Sequence, residues 1–284
     1  MIEFKNVTKK YGRTTAINGI TLSLRDNGIY CLLGRNGAGK TTLMKILAGH
    51  IAASDGEVII DGSLVSPSSM PDCINYIESG SAQFNMKIAD LINTAAQLQK
   101  DFDCDFALEM AKRFELDLNK RYKQLSFGMK TMISTIITLA NNSKVILLDE
   151  PVLGFDAIMR DQFNTLLLES YRANPRIIIV STHLIDEIAK ITERLIIIDK
   201  GKILIETDID DIDEKAYTLS GALNEVLPLL DGLNCIGKQE IGGLAAVHVY
   251  DKRITPPTSV SITRLSLQDF FINVVGSQGG SKNE

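Results

Sequence analysis

A glycine-rich segment early in the chain has the residue types needed to bind a polyphosphate. It lies between an apolar, strand-like run at residues 29–33 and a helix-like run at residues 42–48, and its candidate ligand-binding residues are Gly34, Asn36, Gly37, Ala38, Gly39, Lys40, Thr41 and Thr42. Glycines let backbone N–H groups turn toward phosphate oxygens, and the partly positive start of the following helix lies at the same point. Lys40 adds a full positive charge, and the Thr41 hydroxyl is placed to bind Mg²⁺. The segment predicts a phosphate site, and the alternative is a plain glycine turn before a helix.

Two adjacent carboxylates, Asp149 and Glu150, follow a second apolar run at residues 145–148. Ligands of doubly wound sheets bind at the carboxyl ends of the strands, but surface acids also follow buried strands often. Next to a phosphate loop, the two carboxylates are expected to have different roles. Asp149 can hold Mg²⁺ through water, and Glu150 can orient and deprotonate an attacking water molecule.

Ser126 and Gly128 stand at the start of another helix-like run, at residues 129–140. A serine at a helix start caps the first turn and a nearby glycine is flexible, so the pair is a second candidate anion site. The alternative is an ordinary cap whose hydroxyl satisfies its own backbone. His183 follows a strand-like run at residues 176–180, where its imidazole can reach a terminal phosphate; the alternative is a loop histidine with its own partner.

Length, charge and cysteine content restrict the class of protein. The 284 residues fit one large α/β domain or a domain with a smaller appendage, and we favour the second. The net charge of −5, without a long lysine or arginine block, gives no reason to expect nucleic acid or an anionic membrane surface as partner. No segment approaches the roughly 18 apolar residues of a membrane span. The cysteines lack paired spacing, and Cys31 lies in an apolar run that predicts a buried thiol, so we expect a soluble, cytosolic chain.

The order of strand and helix patterns predicts an α/β fold. Short apolar runs rich in β-branched residues are typical of parallel strands buried on both faces, and they lie at residues 145–148, 177–180 and 195–198. Helical patterns alternate with them between residues 129 and 200. Short strand signals separated by turns, at residues 1–28 and 55–62, predict a small β subdomain.

Two further regions interrupt this alternation. Apolar residues recur at helical spacing between residues 86 and 122, which predicts a helical insertion. An acidic stretch at residues 206–214 breaks the α/β pattern, and scattered strand signals follow it. The last apolar run, at residues 267–275, suits a helix that docks on a small sheet.

Taken in order, these motifs resemble those of the nucleotide-binding subunit of an ABC transporter. The resemblance covers about residues 1–210 and rests on the phosphate loop at 34–42, the signature at 125–129, the strand and glutamate at 145–150, the loop at 153–156 and His183. It implies an α/β P-loop NTPase core with an antiparallel β subdomain, a helical subdomain at about residues 82–142 and a small α+β accessory region at 211–284.

The resemblance also implies roles for several residues. In this family two subunits pair head to tail, so Ser126 and Gly128 of one subunit close on the γ-phosphate held by Lys40 of the other. Asp156 belongs to the family's loop at residues 153–156 and is counted among the nucleotide-binding residues, and His183 is the switch histidine. Tyr11 resembles the aromatic residue that stacks on adenine, although a turn or core tyrosine is the alternative.

Two parts of the family pattern are altered. The signature usually has a second glycine and a glutamine, where this chain has Phe127 and Met129. The loop that normally supplies a Mg²⁺-contacting glutamine has Glu78 and Ser79 instead, and Gln83 lies a few residues further on. A carboxylate can bind Mg²⁺ but adds negative charge near the γ-phosphate. We take Glu78 as the replacement and expect hydrolysis that is slower or more strictly coupled to a partner.

The function that this resemblance implies is ATP hydrolysis, with Mg²⁺, that powers export through a separate membrane permease. The chain would lie on the cytoplasmic face of the membrane as a homodimer or a heterodimer, and the permease would dock near residues 77–98. Leu91, Ile92 and Ala95 form an apolar stripe there, for which a helical core face is the alternative. The residues after 215 resemble the accessory tail of subunits that serve small-molecule, antibiotic and peptide exporters. The altered loops resemble those of antibiotic-responsive or cytolytic-peptide export systems of Gram-positive bacteria.

A soluble ATP switch that acts on DNA or ribosomes is the rival interpretation. Translation proteins of this type have two cassettes, whereas this chain has a single phosphate loop. DNA-repair relatives have a long coiled coil or a zinc insertion, and neither heptads nor paired cysteines are present in the sequence. We therefore expect no nucleic acid among the partners.

Overall fold

A computed structural model describes residues 1–80, 84–183 and 185–277. The chain divides into two compact units. Unit 1 contains Met1–Thr192 and Ile198–Ile203, and unit 2 contains Glu193–Ile197 and the residues from Leu204 onward. No helix within the described residues is long and apolar enough to span a bilayer.

The elements up to residue 188 belong to unit 1 and follow the predicted alternation closely. In chain order they are β1 (Ile2–Tyr11), β2 (Thr14–Leu24), β3 (Gly28–Leu33), α1 (Lys40–Leu47), β4 (Asp55–Ile60), β5 (Ser63–Leu64), β6 (Ile74–Glu78), α2 (Ile88–Leu98), α3 (Cys104–Arg113), α4 (Phe127–Ala140), β7 (Val145–Asp149), α5 (Ala157–Ala173), β8 (Ile177–Thr182) and α6 (Ile185–Ile188).

The remaining elements are β9 (Arg194–Asp199) and β10 (Lys202–Asp208), through which the division between the units runs, and then those of unit 2. These are α7 (Ile209–Lys215), β11 (Ala216–Ala222), α8 (Leu223–Val226), β12 (Cys235–Ile241), β13 (Leu244–Tyr250), β14 (Ser261–Arg264) and α9 (Leu267–Ser277). Short 3₁₀ turns occupy Tyr122–Gln124, Ala189–Ile191 and Leu227–Leu230.

The centre of unit 1 is a parallel sheet that includes the strands β3, β8, β7 and β6 in this order. All residues of β3, β7 and β8 are buried, as the continuous β-branched runs predicted. The Cys31 thiol lies in β3 and is only 1% exposed, so the predicted buried cysteine is confirmed. Burial raises the pKa of Cys31, and the charge of Glu150 raises it further.

The β subdomain is an antiparallel sheet in the order β2-β1-β4-β5. Short strands were expected here, but β1 and β2 have 10 and 11 residues. Register shifts between Phe4 and Val7, and again between Val7 and Lys9, interrupt the regular pairing of these two strands. A turn at Tyr11 and Gly12 ends β1.

The helical insertion begins with α2 and α3, which the apolar spacing between residues 86 and 122 predicted, and α4 follows where a separate helix-like run was predicted at residues 129–140. Leu91 and Ile92 are buried and Ala95 is half-buried, so the stripe on α2 is mainly a core face. Asp103 caps α3 by accepting a hydrogen bond from the N–H of Phe106 at 2.9 Å.

Unit 2 is built on an antiparallel sheet in the order β12-β13-β11-β14. Its buried residues include Tyr217, Leu219, Val247 and Val249. The last helix, α9, buries Phe270 completely, and this ring lies 4.9 Å from the ring of Tyr250. The helix therefore docks on the sheet as its apolar pattern predicted.

Candidate functional site

The phosphate loop connects the buried end of β3 to the start of α1. Gly37 and Gly39 have φ angles of 79° and 113°, which glycine adopts without strain. Gly39 is the N-cap of α1, and no side chain in the described part of the chain caps this helix. Backbone N–H groups at the helix start are therefore available to an anion.

Lys40 lies across this loop rather than pointing into solvent. It is only 6% exposed, and its Nζ donates a hydrogen bond to the carbonyl oxygen of Gly34 at 2.8 Å. No side chain fits at Gly34, because a Cβ atom there would meet the carbonyl oxygen of Ile198 at 2.5 Å. Asn36 is exposed, Ala38 is buried, and Thr41 and Thr42 are half-buried in the first turn of α1.

Asp149 is held at the carboxyl end of β7 by two neutral hydroxyl groups. Parallel pairing places Asp149 beside Glu78 of β6 and beside Ser181 of β8, so these side chains share one face of the sheet. The Ser181 hydroxyl donates to Oδ1 of Asp149, and the Tyr76 hydroxyl donates to Oδ2 at 3.3 Å. Asp149 is only 2% exposed, so its carboxylate is shielded from bulk solvent.

Tyr76 remains a hydrogen-bond donor throughout the physiological pH range. Burial raises the pKa of Tyr76, and the negative charges of Asp149 and Glu78 raise it further. The phenol is therefore protonated when it contacts Asp149. Neither this contact nor that of Ser181 was predicted from the sequence.

Glu150 turns away from the strand and toward the phosphate loop. Its φ of 52° is left-handed, which is uncommon for a residue other than glycine, and its N–H donates to the carbonyl oxygen of Ser181 at 3.0 Å. Its Oε1 lies 3.5 Å from Nζ of Lys40, and its Oε2 lies 2.9 Å from Nδ1 of His183. The structure thus brings together the predicted base, the lysine predicted to bind phosphate and the histidine after β8.

The loop after β6 contacts the backbone of Glu150 through Ser79. The Ser79 hydroxyl donates to the carbonyl oxygen of Glu150 at 2.6 Å, and its N–H donates to that of Asp149 at 3.2 Å. Glu78 instead forms an ion pair with Lys45 of α1, at 2.9 Å. Its assignment as a Mg²⁺ ligand stays a prediction, and Gln83 lies outside the described residues.

The second predicted anion site has the geometry of a capped helix. The Ser126 hydroxyl accepts a hydrogen bond from the N–H of Met129 at 3.2 Å, at the start of α4. Gly128 is buried, and a Cβ atom there would lie 3.1 Å from the carbonyl oxygen of Gly154. Asp156 caps α5 in the same way, accepting from the N–H of Met159 at 2.8 Å. The nucleotide roles of Ser126, Gly128 and Asp156 stay predictions.

Phe127, which replaces a glycine of the family signature, packs on two glycines. A Cβ atom on Gly154 would lie 2.6 Å from the Phe127 ring, and one on Gly80 would lie 3.0 Å from it. Both glycines have positive φ angles. The ring therefore occupies space that exists only because these two positions lack side chains.

Tyr11 is at the end of β1 and is 48% exposed, which excludes a core tyrosine. Nζ of Lys9 lies 5.2 Å from the centroid of its ring. A ring so placed is available for stacking. The assignment to adenine stays a prediction.

An apolar groove of about 510 Å³ opens beside the helical insertion. Its walls include Phe84 and residues from α2 and α4, and side chains near the carboxylates contribute as well: Tyr76, Glu78 and His50. Leu98, the last residue of α2, is 80% exposed at this groove. The groove coincides with the region in which the sequence predicted a docking partner.

The oxygen donors of the site suit Mg²⁺ bound together with phosphate. The Thr41 hydroxyl and the Asp149 carboxylate are hard oxygen ligands, which Mg²⁺ prefers. Within the described residues there is no cluster of three or more His, Cys, Asp or Glu side chains that would hold a metal by itself. A nucleotide would complete such a coordination sphere, as is usual for Mg²⁺ in phosphoryl-transfer sites.

Comparison with known proteins defines the family. The model of the ABC transporter family matches residues 17–153. The lantibiotic transport ATP-binding protein SrtF of Streptococcus pyogenes is 29% identical over 211 residues, which cover 74% of this chain and 92% of SrtF. The sulfate/thiosulfate import ATP-binding protein CysA of Mesostigma viride is 31% identical over 78% of this chain and 67% of that protein. A dimeric structure of a bacterial ABC transporter cassette superposes with a TM-score of 0.65, at 24% identity over 74% of this chain and 99% of the cassette.

The chain belongs to the ABC transporter family as one of its ATP-binding proteins, and it is an ATPase. The predicted fold class, an ABC ATPase core with a β subdomain, a helical insertion and a C-terminal α+β extension, is confirmed. Proteins of this family dimerise and work with membrane permeases.

Proposed function

We propose that this chain is the ATPase subunit of an exporter that moves a peptide or antibiotic through a separate permease. The observation that supports ATP hydrolysis most directly is the convergence of Lys40, Glu150 and His183, with Glu150 within 3.5 Å of both partners. Support for the cargo comes from SrtF, a lantibiotic transport protein of which the chain covers 92%. We assign residues 1–210 to the ATP-binding domain and residues 211–284 to an accessory region.

The reaction follows from the groups around Glu150. Lys40 and the first N–H groups of α1 bind the β- and γ-phosphates of ATP. The Glu150 carboxylate accepts the proton of a water molecule that attacks the γ-phosphorus, and His183 fixes this carboxylate through its contact with Oε2. Thr41 and Asp149 would hold Mg²⁺, which would neutralise phosphate charge when bound. Tyr11 stacks on the adenine.

A second subunit completes the site. In the proposed closed state, Ser126 and Gly128 of one subunit contact the γ-phosphate bound by the other, and Asp156 lies in the loop beside them. Two copies of this chain, or one copy with a related subunit, satisfy this requirement. The permease occupies the apolar groove at Phe84, Leu91 and Leu98, so the complex lies on the cytoplasmic face of the membrane.

The decisive experiment measures ATP turnover of the purified chain and of the chain co-expressed with its candidate permease. Glu150→Gln should lower turnover by roughly 10²- to 10⁴-fold because the general base is lost, while ATP remains bound and traps the dimer. Glu169→Gln, at an exposed carboxylate that pairs with Arg113, is the matched control. Normal turnover in Glu150→Gln would refute the assignment of the base.

The permease arm of this experiment tests the transport role. Turnover that changes when the permease is present supports an export motor. Turnover that is indifferent to the permease, together with nuclease-sensitive sedimentation, would instead support the soluble switch on DNA or ribosomes. The relatives described above are transport proteins, and they favour the first outcome.

Glu78 requires its own test, because its carboxylate is paired with Lys45. If Glu78 binds Mg²⁺ in the closed state, Glu78→Ala should lower permease-stimulated turnover several-fold, and Lys45→Ala, which breaks the same ion pair from the other side, should not. Equal losses in both variants would assign the effect to the ion pair. Wild-type turnover in Glu78→Ala, with a loss in Ser79→Ala, would transfer the role to Ser79.

A further inference from the structure

We propose that Tyr76 is a positioning residue that links the apolar groove to the Mg²⁺-binding carboxylate Asp149. Tyr76 lines the groove, and its hydroxyl donates a hydrogen bond to Oδ2 of Asp149. The inference rests on the proposed function because it takes Asp149 as a Mg²⁺ ligand and the groove as the permease site. The new element is Tyr76, as the residue that couples the groove to Asp149.

The register of the parallel strands brings the two residues together. Glu78 pairs with Asp149 across β6 and β7, and Tyr76 lies two residues before Glu78 on the same face. A diagonal neighbour on a sheet lies within reach of a long aromatic side chain. The phenol therefore spans the distance that separates the groove wall from the end of β7.

Asp149 needs two donors to hold one orientation. The terminal torsion of an aspartate is broad, so a carboxylate with a single hydrogen bond can still rotate. Ser181 fixes Oδ1 and Tyr76 fixes Oδ2, and both donors are neutral. Neither donor brings a positive charge that would compete with a metal ion for this carboxylate.

Of the two donors to Asp149, Tyr76 is the one that a docked partner can contact. Ser181 is fully buried in β8, whereas Tyr76 is half-buried in β6 and lines the groove together with His50. The imidazole of His50 meets the Tyr76 ring edge-on, with centroids 5.1 Å apart. A segment that enters the groove thus packs against a ring whose hydroxyl sets the position of Asp149. By reciprocity, Mg²⁺ bound at Asp149 biases the groove.

The first test measures metal affinity without relying on turnover. Mn²⁺ binding is followed by electron paramagnetic resonance in the presence of ATP, in a Glu150→Gln background that does not hydrolyse it. Tyr76→Phe keeps the ring and removes the hydroxyl, and it should weaken Mn²⁺ binding roughly 10-fold, the low end of the effects of lost outer-shell partners. A change below twofold would overturn the proposal.

The matched control is Tyr122→Phe. Its hydroxyl makes a hydrogen bond of the same 3.3 Å length, to Ser134, and the side chain is buried. This variant should leave Mn²⁺ affinity within twofold of the background. An equal loss in both variants would mean that any buried phenol matters, which contradicts a specific role for Tyr76. ATP affinity in EDTA is measured in parallel. If the Glu150→Gln protein does not bind ATP at all, the proposed function is refuted instead.

The second test measures communication with the groove. The chain has no tryptophan, so Leu98→Trp places a single reporter at an exposed groove position. Emission with Mg²⁺ and ATP should differ from emission with ATP and EDTA, and Tyr76→Phe should abolish this difference. A Mg²⁺-dependent change that persists in Tyr76→Phe, or no change in either background, would overturn the link.

Discussion

The two helix starts that the sequence marks as anion sites, those of α1 and α4, differ in how their first turns are satisfied. At α1 the cap is Gly39, and no side chain in the described chain accepts from the first N–H groups. At α4 the cap is Ser126, whose own hydroxyl accepts from Met129. The first turn of α1 therefore has uncapped N–H groups that an anion can bind, whereas the first turn of α4 is capped by Ser126.

This difference assigns an order to the two sites. An anion can bind at α1 without breaking any side-chain cap, and the buried Lys40 charge favours it there. At α4 a phosphate must compete with the Ser126 hydroxyl for the first turn, or receive a hydrogen bond from that hydroxyl. We therefore expect the α1 site to bind nucleotide in one subunit alone and the α4 site to contribute only after closure.

The largest effect that tests this order is expected for Lys40→Ala. Loss of one partner of a buried ion pair costs about 3–5 kcal/mol, so ATP affinity should fall by roughly 10²- to 4 × 10³-fold. Lys45→Ala, on the same helix but partly exposed, should change affinity less than about 10-fold. Fluorescent nucleotide titration measures both. Equal affinities in the two variants would show that α1 does not hold the phosphates through Lys40.

An intermediate effect is expected for Gly39→Ala. The residue has a φ of 113°, and a Cβ atom would meet the carbonyl oxygen of Ala16 at 2.7 Å. Strain of this kind costs about 1–3 kcal/mol, so thermal stability and ATP affinity should both fall. Gly62→Ala is the control, because Gly62 has a φ of 84° but open space around its Cβ position. An unchanged ATP affinity in Gly39→Ala would contradict an open, preformed loop.

The smallest effect is expected for Ser126→Ala. Loss of an N-cap costs about 1 kcal/mol of unfolding free energy. Asp103→Ala removes the cap of α3 with similar geometry and should cost about the same. Only Ser126→Ala should also weaken ATP-dependent dimerisation, as measured by size-exclusion chromatography in the Glu150→Gln background. Equal dimerisation in the two variants would reduce Ser126 to a structural cap.

Much of the fold was predictable because its signals are local. Continuous β-branched runs identified β7, β8 and β9, and the glycines with Lys40 identified the phosphate loop. The carboxyl edge of a parallel sheet gathers whatever follows its strands, so Glu150 and His183 were expected near Lys40, and the structure places them there. The length of the strands in the β subdomain was not predicted, because a β-bulge interrupts the alternation of apolar and polar residues and makes one long strand look like several short ones.

The remaining contacts depend on register and direction, which the sequence does not encode locally. Ser181 and Tyr76 meet Asp149 because of the pairing between strands that are far apart in the chain. Glu78 shares the same face, but Lys45 of α1 attracts its carboxylate. Phe127 fits only because Gly80 and Gly154, from two other loops, leave room for its ring. Alternation within one strand predicts a face, but not the neighbour across it.

The buried thiol of Cys31 can report how often the core of unit 1 opens. A thiol reagent reaches this side chain only when β3 opens, so the labelling rate counts opening events, while Cys235 in unit 2 is exposed and reports the reagent itself. A ligand that binds the loop directly after β3 and not the opened chain lengthens the interval between openings. The labelling rate of Cys31 should therefore fall when nucleotide is bound, so it measures nucleotide occupancy without a catalytic assay.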